Sequence, residues 1–356
     1  MMMEQDSNSR LSLLAHYQRY PLLQIQDIFK YIYQSAFGCE HLVSSVSSAT
    51  EYLKREYATC ARANTQEIDA LNGAYSRVHL SVLDRGLCAE TLAKLFVASA
   101  KKEPNGHEHL LHQLAVVREL IKENKLPFSV DTFEKEVRAW AALEYSAIHH
   151  SEVFRANYAP SYRVIANEYL PFLPLLTKLD TMLQHQNVVI AIDGASASGK
   201  STLSEMLHML YDCTVFHMDD FFLRPEQRTA QRYMQIGGNV DRERFLEQVL
   251  IPLSRREPVC YQRFDCSTMS LLPAKTVLPQ KLTVIEGVYS MHQELAAYYD
   301  FSVFLDISPE LQQKRIEKRN SQQMAERFYR EWIPLEKRYF EQMQVPKRSD
   351  MIIPIA

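Results

Sequence analysis

The sequence predicts an α/β protein: a parallel-sheet domain over residues 184–356, preceded by an all-α domain over residues 1–183. Three observations carry this expectation. Apolar residues recur at helical spacing through the first 183 positions, short β-branched or aromatic runs alternate with helical stretches from residue 187 onward, and a glycine-serine loop follows the first of those runs. A chain of 356 residues suits two domains, because single cores usually stop growing below ~250–300 residues.

In "PLLQIQDIFKYIYQSAFG", Leu22, Ile25, Ile28, Phe29, Ile32 and Tyr33 share one helical face, and Gly38 falls where a C-cap is expected. "HLLHQLAVVRELIKENK" repeats the stripe with Leu110, Leu111, Leu114, Val117 and Ile121. "DTFEKEVRAWAALEY" opens on a capping-box pattern from Asp131 to Glu134. No strand is expected before residue 187. Beyond it, "NVVIAID", "TVFHMD", "LTVIEG" and "FSVFLDI" read as buried strands of a parallel sheet covered by helices on both faces. The change of pattern places a boundary near residues 177–187.

The charge is nearly balanced, 40 Lys+Arg against 43 Asp+Glu, which argues against a nucleic-acid partner. Six scattered cysteines without CxxC spacing read as reduced thiols. No apolar run reaches the ~18–20 residues of a membrane span, and "MMMEQDSNSR" lacks the apolar stretch of a signal peptide. A cytoplasmic protein without a membrane partner is expected, and a homo-oligomer is compatible with the sequence. Histidine clusters (Glu40–His41; His107, His109 and His112; His149, His150 and Glu152) lack the HExxH arrangement and read as packed or solvated side chains.

Gly194, Ala195, Ser196, Ala197, Ser198, Gly199, Lys200 and Ser201 satisfy GxxxxGK[ST] directly after an apolar strand and before the amphipathic "STLSEMLHML", which Thr202 continues. The glycines let backbone N–H groups curl around an anion, and the following helix points its positive end at it. Lys200 reaches the β/γ-phosphates, and the Ser201 hydroxyl suits Mg²⁺. This is a triphosphate cradle, so the second domain is expected to take the P-loop NTPase fold and to bind ATP, with GTP as the alternative. A cradle alone does not separate a kinase from an ATPase or a switch. "TVFHMDDFF" adds Asp219 and Asp220 at the end of the second strand, the edge where ligands bind in open α/β sheets. A carboxylate there can accept the proton of an acceptor hydroxyl or hold the metal.

From about residue 187 to 356 the sequence resembles the uridine kinase and phosphoribulokinase group of P-loop small-molecule kinases. "DDFF" is similar to the family's D-[ST]-F-Y segment, which implies Asp219 as catalytic base and Phe222 at the tyrosine's place. "GGNVDRERF" resembles N-F-D-x-P-x-x-F and implies that Asp241 bonds sugar hydroxyls. "TVIEGVYS" resembles the third strand, which implies Glu286 near Mg²⁺. "KRIEKRN" resembles the arginine-bearing helix, with Arg319 matched, and "SDMIIP" the final strand. "ERFYR" is similar to the lid, where Arg327 or Arg330 would cover the phosphates. In "YQRFDC", Tyr261 and Arg263 match the base-binding segment, but Cys266 stands where the family has histidine, and Ile316 replaces one arginine of the helix.

The resemblance implies an ATP- and Mg²⁺-dependent kinase acting on a hydroxyl of a small metabolite, uridine-like nucleoside or other sugar-like acceptor. Catalysis would fall to Asp219 and Lys200, and the metal to Ser201 and Glu286. A nucleotide-gated regulator whose helical half meets a partner, or an ATPase without acceptor, are the other readings. Asp219 and Asp241 favour the kinase, since a switch needs no acceptor site.

Overall fold

The computed structural model describes residues 2–39, 45–60, 67–101 and 103–356, so Glu40 and His41 lie outside the described residues. It divides into two compact units, Met1–Asp180 and Thr181–Ala356.

The N-terminal unit contains helices α1 (Met2–Arg19), α2 (Ile25–Phe37) and α3 (Val46–Thr59), strands β1 (Ile68–Ala70) and β2 (Tyr75–His79), helices α4 (Ala89–Ala98), α5 (Gly106–Lys122), α6 (Val130–Ala141) and α7 (Glu152–Tyr158), and strand β3 (Tyr162–Ala166). Helix α8 (Leu173–Leu183) contains the boundary between the units. Most of the expected stripes form the core: Ile28, Ile32, Leu114 and Val117 are buried, and Phe29 stacks on Trp140 at 4.6 Å, whereas Leu22, which precedes α2, and Leu111, on the outer side of α5, are exposed. Gly38 closes α2 at φ 59°. Helix α6 starts two residues earlier than Asp131 suggests. Ser129 is its N-cap and its hydroxyl accepts from the Thr132 amide, because a Ser side chain at this offset satisfies a free first-turn N–H.

The unit is predominantly helical, and it adds an antiparallel sheet of order β1-β2-β3 that corrects the expectation of no strands before residue 187. The central strand, "YSRVH", is buried at every position, so it shows no alternation of apolar and polar residues. Its polar members are paired inside the fold: Arg77, 1% exposed, donates to Gln34 Oε1 at 2.9 Å and lies 3.7 Å from the Asp69 carboxylate. Buried polar side chains of this kind persist only with partners, and those partners are remote in sequence.

The C-terminal unit has β4 (Val188–Gly194), α9 (Lys200–Tyr211), β5 (Thr214–His217), short helices α10 (Ala230–Met234), α11 (Arg242–Phe245) and α12 (Ile251–Ser254), and short strands β6 (Val259–Tyr261), β7 (Phe264–Asp265), β8 (Ser270–Leu271) and β9 (Lys275–Val277). It continues with β10 (Leu282–Glu286), β11 (Phe301–Ile307), α13 (Pro309–Arg319), α14 (Gln322–Arg327), α15 (Ile333–Gln342), α16 (Val345–Arg348) and β12 (Met351–Ile355). Five strands make one parallel sheet of order β12-β11-β4-β10-β5. The expected apolar runs are these strands. Phe216 and Ile285 pack with Phe221, Phe245 and Tyr261, while Ala191 and Phe304 pack with Tyr339 and Val345. β4 is central, and its C-terminal end opens directly into the glycine-serine loop.

No helix among the described residues is long and apolar enough to cross a membrane.

Candidate active site

Two backbone constraints shape the loop between β4 and α9. Gly194 sits at φ 147°, and a Cβ there would come within 2.6 Å of the Leu305 carbonyl oxygen on β11. Gly199, at φ 102°, precedes the first residue of α9. Gly194→Ala is therefore expected to destabilise the C-terminal unit by about 2–4 kcal/mol, from left-handed strain plus a backbone clash. Urea unfolding checks this, and a variant of unchanged midpoint would refute it.

Lys200, 8% exposed, folds back on the loop, its ammonium donating to the carbonyls of Gly194 at 2.8 Å and Ala195 at 3.0 Å. Ser196 donates both its N–H, at 2.9 Å, and its hydroxyl to the carboxylate of Glu336 on α15. Ala197 has φ 62°, and the Ser198 amide closes a turn on the Ala195 carbonyl. Ser201 and Thr202 are exposed in the first turn of α9. Beneath the loop, Asp193 is fully buried and accepts from the Gly194 and Met291 amides and the Tyr339 hydroxyl. Burial raises its pKa against the pull of those bonds.

The neighbouring strand ends supply carboxylates. Glu286, at the end of β10, accepts from the Ser201 hydroxyl at 3.3 Å and lies 2.6 Å from Nδ1 of His217 on β5. That hydrogen bond raises the His217 pKa, with the Glu286 charge adding to it and desolvation opposing it. Asp219 follows β5. Its carboxyl is open to solvent on one side, yet the surrounding protein desolvates it enough to raise its pKa; Lys200 opposes the rise and Glu286 adds to it. Asp219, Lys200, Glu286 and His217 therefore act on one another electrostatically within one site.

The other expected residues divide. Phe222 is half-buried beside Val240 through an isolated bridge. Arg263 pairs with Asp220 at 3.2 Å. Arg327 and Arg330 are exposed in the helical segment from α14 to α15, Arg327 pairing with Glu331 at 3.2 Å. Three residues expected to contact a ligand have other surroundings in the fold. Asp241 is 2% exposed and is the N-cap of α11, accepting from the Arg244 amide and from its guanidinium at 3.2 Å; a carboxylate so engaged serves the fold before any ligand. Tyr261 is 2% exposed, stacked on Phe221 and edge-on to Phe216, because its ring completes an apolar cluster. Arg319 stands exposed at the last turn of α13, whereas Arg315, one turn earlier, reaches the Ala197 and Ser198 carbonyls at 3.3 and 3.4 Å.

Arg315, Gln312 (donating to the Ser196 carbonyl at 3.1 Å), Glu336 and His217 were missed by sequence reasoning. For Arg315 the i−4 spacing from Arg319 was a usable signal, and for His217 its position two residues before Asp219 was another. Nothing local singles out Glu336. Of the histidines read as packed, His109 bonds Ser35, Asn72 and Gln113, and His150 bonds Asp27.

The Glu336 carboxylate holds a loop N–H suited to an anion, and burial raises its pKa while the Ser196 bonds lower it. Gln keeps an oxygen for that N–H but removes the charge. Glu336→Gln is thus expected to tighten MgATP binding about 3- to 10-fold at neutral pH, because a like charge beside an anion site costs on the order of 1 kcal/mol. Calorimetry tests this, and unchanged or weaker affinity would leave Glu336 a purely structural anchor of the loop.

A parallel sheet, a strand–GxxxxGKS–helix loop and carboxylates at the adjacent strand ends define the class of P-loop kinases. Residues 189–330 match the model of the Phosphoribulokinase / Uridine kinase family, so the C-terminal half of the chain is a domain of that family. Among solved structures, the chain is similar to one described as a possible uridine kinase from Bacillus stearothermophilus, with 23% identity over 51% of this chain and 99% of that one and a TM-score of 0.39. It is also similar to a provisionally named fructose transport system kinase from Silicibacter sp. TM1040, with 25% identity over 48% of this chain and 90% of that one and a TM-score of 0.40. No curated protein sequence matches the chain.

Proposed function

We propose that the C-terminal unit transfers the γ-phosphoryl group of ATP to a hydroxyl of a small metabolite, a uridine-like nucleoside or another sugar-like acceptor. The observation that carries this reading is Asp219, a carboxylate at a strand end within the field of Lys200 and Glu286. A carboxylate at this place suits the deprotonation of an acceptor hydroxyl, and the acceptor panel below separates that role from the activation of water.

The loop amides and Lys200 bind the phosphates, with Lys200 exchanging its contacts to the Gly194 and Ala195 carbonyls for phosphate oxygens. Arg315, and Arg327 or Arg330 on closure, face the transferred group's charge. Asp219 orients the acceptor hydroxyl and takes its proton. Ser201 and Glu286 supply hard oxygen donors that already meet, at 3.3 Å, which fits a Mg²⁺ held by few protein ligands plus phosphates. A bound Mg²⁺ would neutralise charge on the phosphate oxygens. Asp241 and Tyr261 shape the acceptor side from within the fold, and Phe222 and Arg263 lie at its surface.

The test is incubation with labelled ATP and a panel of nucleosides, sugars and vitamin alcohols. Acceptor-dependent label transfer supports the kinase. Free phosphate alone would make it an ATPase, and tight binding without turnover a nucleotide-gated regulator.

A further inference from the structure

The N-terminal unit contains a cavity of about 1120 Å³, walled by residues of α2, α3, α7 and β3. Small-molecule sites usually span ~300–1,000 Å³, so this one has room for a nucleotide-sized ligand. Its charge is one-sided. Among the described residues, Lys30, Arg55, Arg155 and Arg163 line it against a single carboxylate, Glu56.

Arg163 is the most constrained of these. It is 7% exposed, its Nη1 donates to Glu56 at 2.8 Å and to the Tyr162 carbonyl at 2.9 Å, and its charge lies 5.6 Å from the Tyr52 ring and 5.7 Å from the Phe96 ring. Its Nη2 is buried without a hydrogen-bond partner among the described residues. A buried guanidinium N–H left without an acceptor is costly, and an acceptor atom brought by a ligand removes that cost. Lys30 donates to the Ile148 carbonyl at 3.0 Å, and burial followed by the charges of Arg77 and Arg155 brings its pKa down to about 8. An anion beside it would stabilise its charged form.

A buried hydrogen-bond network backs the same cavity. Fully buried Asp27 bonds His150 Nδ1 at 3.0 Å and the Ser151 amide and hydroxyl, and His150 Nε2 meets the Tyr162 hydroxyl at 2.7 Å. His150 stays neutral, its pKa held down to about 4 by burial, and adds no positive charge. Tyr52 lines the same cavity with its ring 61% exposed, a flat apolar surface available for stacking.

We infer that this cavity is a binding site for a small organic anion: a metabolite with a phosphate or carboxylate group, received by Arg163 and Lys30, and a planar ring, received by Tyr52. This site is independent of the phosphate cradle.

The test uses the full chain carrying Lys200→Ala, which disables the cradle, and calorimetry with four probes: UMP, AMP, inorganic phosphate and pyridine-3-carboxylate. At least one ring-bearing probe is expected to bind saturably, at least 10-fold tighter than inorganic phosphate. Lys30→Gln and Tyr52→Ala, checked for unchanged melting, are expected to weaken that binding 10-fold or more; Arg163→Gln, if it folds, should do the same. A mononucleotide preferred over the pyridine acid marks a phosphate ligand, and the reverse marks a carboxylate. Three results would each overturn the inference: no saturable binding by any ring-bearing probe, inorganic phosphate binding as tightly as the best of them, or binding indifferent to both Lys30→Gln and Tyr52→Ala.

Discussion

Asp219→Asn is expected to lower phosphoryl transfer by about 10²- to 10⁴-fold, the usual contribution of a positioned general base, while MgATP affinity stays within about 3-fold of the parent. Asn keeps the shape and one oxygen of the side chain but cannot take the acceptor proton. The same residue predicts the acid limb of the activity profile. Desolvation and Glu286 raise the Asp219 pKa, so the active, ionised form is lost at a higher pH than an ordinary carboxylate would give. Single-turnover rates across pH 4–8 read both effects. Near-normal turnover in Asp219→Asn, with the acid limb unmoved, would take the base role from this residue.

The second large effect is acid instability of the N-terminal unit. Burial holds His79 and His150 down to a pKa of about 4 in the fold, whereas an unfolded histidine protonates near 6.5. Between those values the unfolded chain binds more protons, so this stability is complete above pH 6.5 and falls as pH falls towards 4. At pH 5 the loss is on the order of 2 kcal/mol per histidine. His16, lowered mainly by burial, adds in the same direction. Asp27 does not offset this, because its lowered pKa keeps it ionised throughout the window. In the C-terminal unit His217 and the carboxyls of Asp193, Asp219 and Glu336 have raised pKa values and gain protons more readily folded than unfolded, which opposes the lowering of His292 by burial.

Each unit contains one of the chain's 2 tryptophans, Trp140 and Trp332. In a Trp332→Phe variant, fluorescence melting should report a drop of about 10 °C for the N-terminal unit between pH 7 and 5. A flat response would show that these imidazoles protonate in place without cost.

The C-terminal fold was legible because its information is local. The central strands β4, β10 and β11 are buried almost throughout and read as apolar runs, and the cradle is one contiguous stretch from Gly194 to Ser201. The rest depends on residues that meet only after folding. Arg77 in β2 and Arg163 in β3 look like solvent-facing residues of a helix or loop until Gln34, Asp69 and Glu56 are brought to them. Glu336 lies 140 positions from Ser196, and no spacing rule connects them. Tyr261 and Asp241 show the converse: the motif position suggests ligand contact, and Asp241 just before "RERF" equally suggests a helix N-cap, while the fold seats one ring in an aromatic cluster and makes the other side chain that cap. Arg319 and Arg315 differ by one helical turn, which a motif cannot resolve when one of its arginines is Ile316.

The central strand β4 finds its neighbours late. Its partners are β10, whose Leu282 pairs with Val188, and β11, whose Phe301 pairs with Ile190, both roughly a hundred positions downstream. Closing such long loops is entropically expensive and slow. Gly194 lies close against the Leu305 carbonyl, so during synthesis the phosphate-gripping bend gains this packing partner only once the ribosome has passed that residue. Nucleotide capture is therefore a property the nascent chain acquires near the end of its assembly, long after residues 1–180 have had the chance to condense on their own.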